Sequence, residues 1–160
     1  MKIGITGHQQ LPRASDWKWT KRQLVEIILS AARPLVGISS LAVGADQLFA
    51  DIVLQEGGTL EAIIPFEDYE RTFTTETDKD EYRRILSRAS HVEVLERVAS
   101  DEENYLKAGK RVADKSDLLI AVWDGKPAAG LGGTGDIVEY TLTKKKVVHL
   151  NPIARSKQSR

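Results

Sequence analysis

The sequence predicts a three-layer α/β sandwich, a mainly parallel sheet with helices on both faces. Two observations carry that expectation. Short apolar runs of strand length, such as Leu118-Leu119-Ile120-Ala121-Val122, alternate along the chain with segments whose apolar residues recur at helical spacing. Glycine, proline or small polar residues punctuate the strand ends before the next helix begins, as in repeated strand–helix–strand units. The strands are apolar along their length rather than alternating, which suits a sheet covered on both sides.

The elements follow in order. Residues 2–6 read as a buried strand, stopped by Gly7-His8-Gln9-Gln10 and Pro12. Over residues 17–33, Trp17, Leu24, Ile27, Ile28 and Ala31 recur at helical spacing, with Ser15 or Asp16 available as N-cap and Pro34 as a stop. Residues 35–38 form the second strand. A helix over 45–55 buries Leu48, Phe49, Ile52 and Val53 and ends at Gly57-Gly58. The third strand takes residues 59–64 and closes at Pro65, before a polar loop rich in aromatics that includes Phe66, Tyr69 and Phe73. A helix over 78–89, a strand over 91–95 and a helix over 102–115 lead to the strand 118–122. After a glycine-rich loop, a fifth helix ends in Lys144-Lys145-Lys146, where cations suit the helix dipole. Residues 147–150 are the last expected strand, and residues 151–160 read as a polar, frayed tail.

Composition narrows the function classes. At 160 residues the chain fits one domain, expected over residues 1–150, with no linker or internal repeat. The 23 basic and 23 acidic residues cancel, so no overall cationic field exists to hold nucleic acid, and a nucleic-acid partner is not expected. Cysteine is absent, which excludes disulfides, thiol catalysis and cysteine metal sites and is compatible with a reducing cytoplasm. The N-terminus enters a strand directly, without signal-peptide character, and no apolar run is long enough to span a bilayer. A cytoplasmic protein without membrane partners is the expectation.

The stretch 123–139 carries most of the functional signal. Strand, glycine-rich loop and helix follow one another, with Trp123-Asp124-Gly125 closing the strand and Gly132-Gly133-Thr134-Gly135 opening the helix. That order places bare backbone N–H groups and a helix N-terminus at the carboxyl edge of the sheet, suited to an anionic or sugar-phosphate ligand. The same edge gathers Gly7-His8, the turn from Ser39 to Asp46, and the loop from Pro65 to Phe73, with Pro65 and Phe66 as its ligand candidates. In the second of these turns Gly44 serves either close packing or, with Ser39, Ser40 and Ala45, a phosphate; Asp46 is either a first-turn helix acid or a ligand contact. His8 is expected to hydrogen-bond ligand or loop, since no supporting ligand spacing suggests a metal. No cofactor is implied.

Asp136 complicates a phosphate at the glycine loop. At about 4 Å and an effective dielectric near 20 the repulsion is on the order of 4 kcal/mol. Either the phosphate sits elsewhere, near Ser39 to Gly44 or Lys126, or Asp136 grips a ribose hydroxyl. Glu139, one turn on, is placed to overlook the loop. Trp123 is a base-stacking candidate, with Phe66 and Tyr69 behind it, although aromatics of this kind more often belong to a core.

Gly132-Gly133-Thr134-Gly135-Asp136-Ile137-Val138-Glu139 resembles the Gly-Gly-x-Gly-Thr-x-x-Glu signature of the Lonely Guy nucleotide phosphoribohydrolases. Together with Ile5-Thr6-Gly7-His8, residues 39–46 and residues 116–125, it resembles the SLOG superfamily of Rossmann-like domains, which includes relatives of the DNA-processing protein A. The resemblance implies a Rossmannoid fold that binds a nucleotide or nucleotide-derived ligand, often as a dimer, in sensing or nucleotide metabolism. It also implies an alternative, an N-glycosidase that releases the base of a nucleoside monophosphate, with Glu139 and Asp136 as its catalytic acids. Asp136 stands where the signature has threonine, Leu131 where it has proline, and no clear match exists for the hydrolases' upstream arginine. Single-stranded DNA binding is a third reading, opposed by the balanced charge.

Overall fold

The apolar run at each expected strand pairs into a single sheet in the computed structural model, which describes residues 1–128 and 130–160. In chain order the elements are β1 (Lys2–Gly7), α1 (Ala14–Ser30), β2 (Val36–Ser39), α2 (Ala45–Gln55) and β3 (Thr59–Ile64). A short 3₁₀ helix (Tyr69–Thr72) precedes α3 (Glu76–Leu86), β4 (His91–Val94), α4 (Asp101–Lys115) and β5 (Leu118–Val122). The chain continues with α5 (Thr134–Leu142), β6 (Val147–Asn151) and β7 (Ser156–Ser159). No helix among the described residues is long and apolar enough to cross a membrane.

The strand order is β4-β3-β2-β1-β5-β6-β7, parallel throughout except for β7. Register brings Gly7 opposite Val122, so β1 and β5 end level at the carboxyl edge. One face of the sheet buries Ile3, Ile5, Ile120 and Val122 beneath α1 and α2, with Leu24, Ile28, Phe49 and Val53 opposing them. The other buries Ile38, Ile63, Leu119 and Ala121 beneath α4 and α5 through Val112, Ala113, Ile137 and Val138. A third apolar cluster joins α2 and α3 to β3. Strands buried on both sides explain why the sequence reads as continuous apolar runs.

Three local departures from expectation have physical causes. Helix α1 starts at Ala14 because Arg13 is its N-cap, and Asp16 lies inside the first turn, buried, accepting from Arg13 Nε at 3.1 Å. The aromatic loop after β3 contains a 3₁₀ turn, because Tyr69, Phe73 and Tyr82 pack edge-on or stacked into the core. The C-terminal residues expected to fray instead form β7, antiparallel to β6, with reciprocal backbone bonds of 2.9 Å between Val147 and Arg160. A polar strand of this kind is held by main-chain pairing alone and leaves no apolar pattern to read.

Candidate functional site

Strand order reverses between β1 and β5, the topological switch point at which open parallel sheets leave a crevice beyond their carboxyl ends. The chain there is locked across the switch. His8 N–H donates to Val122 O at 3.0 Å, and Asp124 N–H donates to His8 Nε2 at 3.1 Å. The crevice is an open cavity of about 840 Å³, within the range of small-molecule sites.

Six segments line it. The loop after β1 gives Gly7, His8, Gln9 and Gln10; the turn into α2 gives Ser40, Ala42, Val43 and Asp46. The segment after β3 gives Pro65, Tyr69, Thr72 and Phe73, and α3 and α4 add Asp78 and Tyr105. The β5–α5 loop supplies Trp123, Asp124, Lys126 and the backbone of Gly132, Gly133, Thr134 and Gly135. Of the residues singled out in the sequence, the cavity therefore brings together Gly7, His8, Ser40, Asp46, Pro65, Trp123, Asp124, Gly132, Gly133, Thr134 and Gly135.

Ser39, Gly44, Ala45, Phe66, Gly125, Asp136 and Glu139 do not line it. Ser39 is buried, its hydroxyl accepting Leu41 N–H at 3.0 Å. Gly44 caps α2 at φ +94°, and a Cβ there would stand 2.5 Å from Gln9 O, so the glycine serves a close approach between the β1 loop and α2. Ala45, a ligand-binding candidate in the sequence, has its N–H donating to His8 O at 3.1 Å. Phe66 is buried, with the Arg97 guanidinium 4.2 Å above its ring, which makes it core rather than platform. Gly125 turns the chain at φ +86°. Asp136 Oδ2 accepts Gly132 N–H at 2.9 Å and so ties down the glycine loop rather than reaching into the cavity. Glu139 is exposed on α5.

The glycines of the loop also have structural work. Gly132 has φ +82°, and a Cβ would lie 2.7 Å from Leu106 N, so the loop is bare here because it lies against the α4 backbone. Gly133 N–H is turned back to Gly130 O at 3.3 Å. Among the described residues no acceptor meets the N–H groups of Thr134 and Gly135, and these remain the donors the loop offers to the cavity.

The Trp123 side chain is fixed by its own loop, with Nε1–H donating to Lys126 O at 2.7 Å and the His149 ring 5.2 Å away. Asn104 holds the opposite wall, donating to Pro65 O at 2.6 Å and Glu96 O at 3.0 Å while accepting Val98 N–H at 2.7 Å. These constraints preset the walls.

Electrostatically the cavity is acidic. Burial pushes the Asp46 carboxyl up to about 7, an effect softened by the nearby Ala42 N–H, the Ser39 hydroxyl and the Ser40 N–H. Burial also raises the Tyr69 hydroxyl well above its ordinary value, with Asp46 adding to the shift. At Asp124 burial acts upward but is outweighed by Lys126 N–H at 3.0 Å and by His8, which hold the carboxyl below the usual range. His8 Nε2 stands 3.3 Å from Asp124 Oδ1; because it accepts Asp124 N–H, the neutral ring carries its proton on Nδ1. No group of three His, Asp or Glu side chains able to hold a metal occurs among the described residues.

Sequence reasoning did not find Gln9, Gln10, Asp78 or Tyr105. They reach the cavity through the β1 loop and the packing of α3 and α4, and the aromatic-rich stretch after β3 was the only signal pointing there.

The geometry matches solved structures closely enough to define the fold. DNA processing protein A from Streptococcus pneumoniae matches at a TM-score of 0.65 and 17% identity, over 94% of this chain and 50% of that one. DNA processing protein A from Helicobacter pylori, described for its single-stranded DNA binding mode, matches at 0.64 and 16%, over 94% of this chain and 65% of that one. The molybdenum cofactor carrier protein of Chlamydomonas reinhardtii matches at 0.52 and 18%, over 96% of this chain and 78% of that one. This chain thus spans half to two thirds of the length of the two DNA processing proteins. No protein-family model and no curated protein sequence matches. The fold is the Rossmann-like α/β fold of these proteins. At these identities what is shared is the fold.

Proposed function

We infer that the protein binds a nucleotide-derived small molecule in the switch-point cavity, as a sensor or as a component of nucleotide metabolism. The observation that carries this reading is the cavity itself. It is open, preset by hydrogen bonds on both walls, and floored by the glycine loop, whose Thr134 and Gly135 N–H groups meet no acceptor among the described residues. Trp123 and Tyr105 give it flat apolar walls, and Gln9, Gln10, Ser40 and Thr72 give it polar groups for a sugar and a base edge.

The likeness to a cofactor carrier and to a protein described for its single-stranded DNA binding mode is compatible with a ligand at this edge. For single-stranded DNA the carboxyl edge would need clustered cations, and the cavity carries more carboxyls than amines. Binding is the part of the reading with geometric support; Glu139 stands outside the cavity, so no observation favours base release.

A thermal-shift panel of nucleosides, nucleoside phosphates and a pterin, run beside a single-stranded oligonucleotide, tests the proposal. At least one small molecule is expected to raise the melting temperature in a concentration-dependent way. A panel in which only the oligonucleotide acts, or nothing does, overturns it.

A further inference from the structure

The cavity's charges point away from the phosphate-bearing ligands that its glycine loop suggests. Three carboxyls line it: Asp46, Asp78 and Asp124. Against them stand Lys126, whose side chain is 82% exposed and 3.9 Å from Asp124, and His8, whose Nε2 already accepts a backbone N–H. No arginine lines the cavity among the described residues.

Of the two helix starts that open here, α2 is closed to an anion and α5 keeps only the Thr134 and Gly135 N–H groups among the described residues. At α2, Ala45 N–H is held by His8 O, Gln47 N–H donates to Ala42 O at 3.3 Å, and Asp46 occupies the first turn. At α5, Asp136 occupies the first turn and takes Gly132 N–H. An acid in the first turn satisfies the dipole that would otherwise attract a phosphate.

Asp46 is the more informative of the two. It is 6% exposed, lines the cavity and has no ion-pair partner among the described residues. The Ser39 hydroxyl and the Ser40 and Ala42 N–H groups donate toward its carboxyl from the protein side. A carboxylate has about four lone-pair sites, so one that lines a cavity keeps acceptor capacity for donors on a ligand, such as sugar hydroxyls or the N–H edge of a base.

We propose that the site selects an uncharged, donor-rich ribonucleoside over its phosphorylated forms, with Asp46 accepting the ligand's donors and the acidic lining repelling phosphate. The inference rests on the small-molecule reading above and narrows its ligand class. A phosphate within about 10 Å of one ionised carboxylate loses on the order of tenfold in affinity at an effective dielectric near 20.

Calorimetric titration of the full chain with guanosine, GMP and GDP at about pH 8, above the Asp46 midpoint, tests it. Guanosine is expected to bind about tenfold tighter than GMP, and GMP tighter than GDP. In Asp46→Asn and, separately, Asp78→Asn, the ratio of GMP to guanosine affinity is expected to move toward GMP; the second variant sits at an exposed helix start and guards against misfolding in the first. Tighter binding of GMP or GDP than guanosine by the unaltered protein overturns the inference and leaves the cavity's small-molecule role standing. A ratio unmoved in both variants also overturns it. Silence from all three probes, with other nucleotides silent too, removes the underlying reading and this inference with it.

Discussion

Asp124 N–H donates to His8 Nε2 at 3.1 Å, joining the end of β5 to the end of β1 across the switch point. The two residues lie 116 positions apart in sequence, and this side-chain contact reinforces the main-chain bond from His8 N–H to Val122 O that joins the same two loops. His8→Ala removes the acceptor and leaves the Asp124 N–H half-buried without a partner. A loss of about 1 kcal/mol in urea unfolding is expected, together with weaker ligand binding. Unchanged stability and unchanged binding would show that the contact positions nothing.

Asp46 makes stability depend on pH in a defined direction. Its carboxyl titrates near 7 in the fold against 3.8 in the unfolded chain, so the native state holds the proton more tightly. The contribution is fully present below about pH 4 and is lost as pH rises through about 7. Asp46→Asn cannot ionise, so relative to it the unaltered protein is expected to lose stability over that window, by up to about 4 kcal/mol. Parallel stability curves for the two proteins from acid to alkaline pH would contradict the assignment.

Asp124 runs the other way. Its carboxyl is held below the usual range, so its contribution is present above the ordinary carboxylate pKa and disappears as pH falls through the depressed one. Asp124→Asn is expected to flatten the acid side of the stability profile, as read by unfolding at stepped pH. An unaltered acid limb would remove the role.

Two glycines of one loop separate packing from openness. Gly132→Ala places a Cβ at φ +82° and 2.7 Å from Leu106 N, and a loss of about 1–3 kcal/mol is expected. Gly130→Ala meets nothing within 4 Å and is expected to change stability by less than about 0.5 kcal/mol. Equal effects on melting temperature would mean that the loop is not held against α4.

The sheet and five helices were legible in the sequence because the central strands are apolar on both faces and the turns carry their own punctuation. β7 was not legible: Ser156-Lys157-Gln158-Ser159 has neither apolar residues nor alternation and is held by pairing to β6. The loops of the site were legible as glycine-bearing strand ends, but what their donors do was not. Ala45 N–H is taken by His8 O, from a segment far away in the chain, and no local pattern announces that bond. Asp136 and Glu139 show the limit of helical spacing. Asp136 turns back to Gly132 N–H, and the face that carries Glu139 is exposed to solvent. Phe66 and Tyr69 differ for a similar reason: both pack against each other at 5.8 Å, but Tyr69 alone also borders the cavity.

The most direct test of a ligand-binding crevice at the switch point is amide chemical-shift mapping of the labelled protein during titration with guanosine. Saturable shifts are expected at His8, Asp46, Asp124, Thr134 and Gly135, with the β4 and β7 edges unmoved. Shifts confined to those edges, or none at saturating nucleoside and nucleotide, would contradict a ligand site in this cavity.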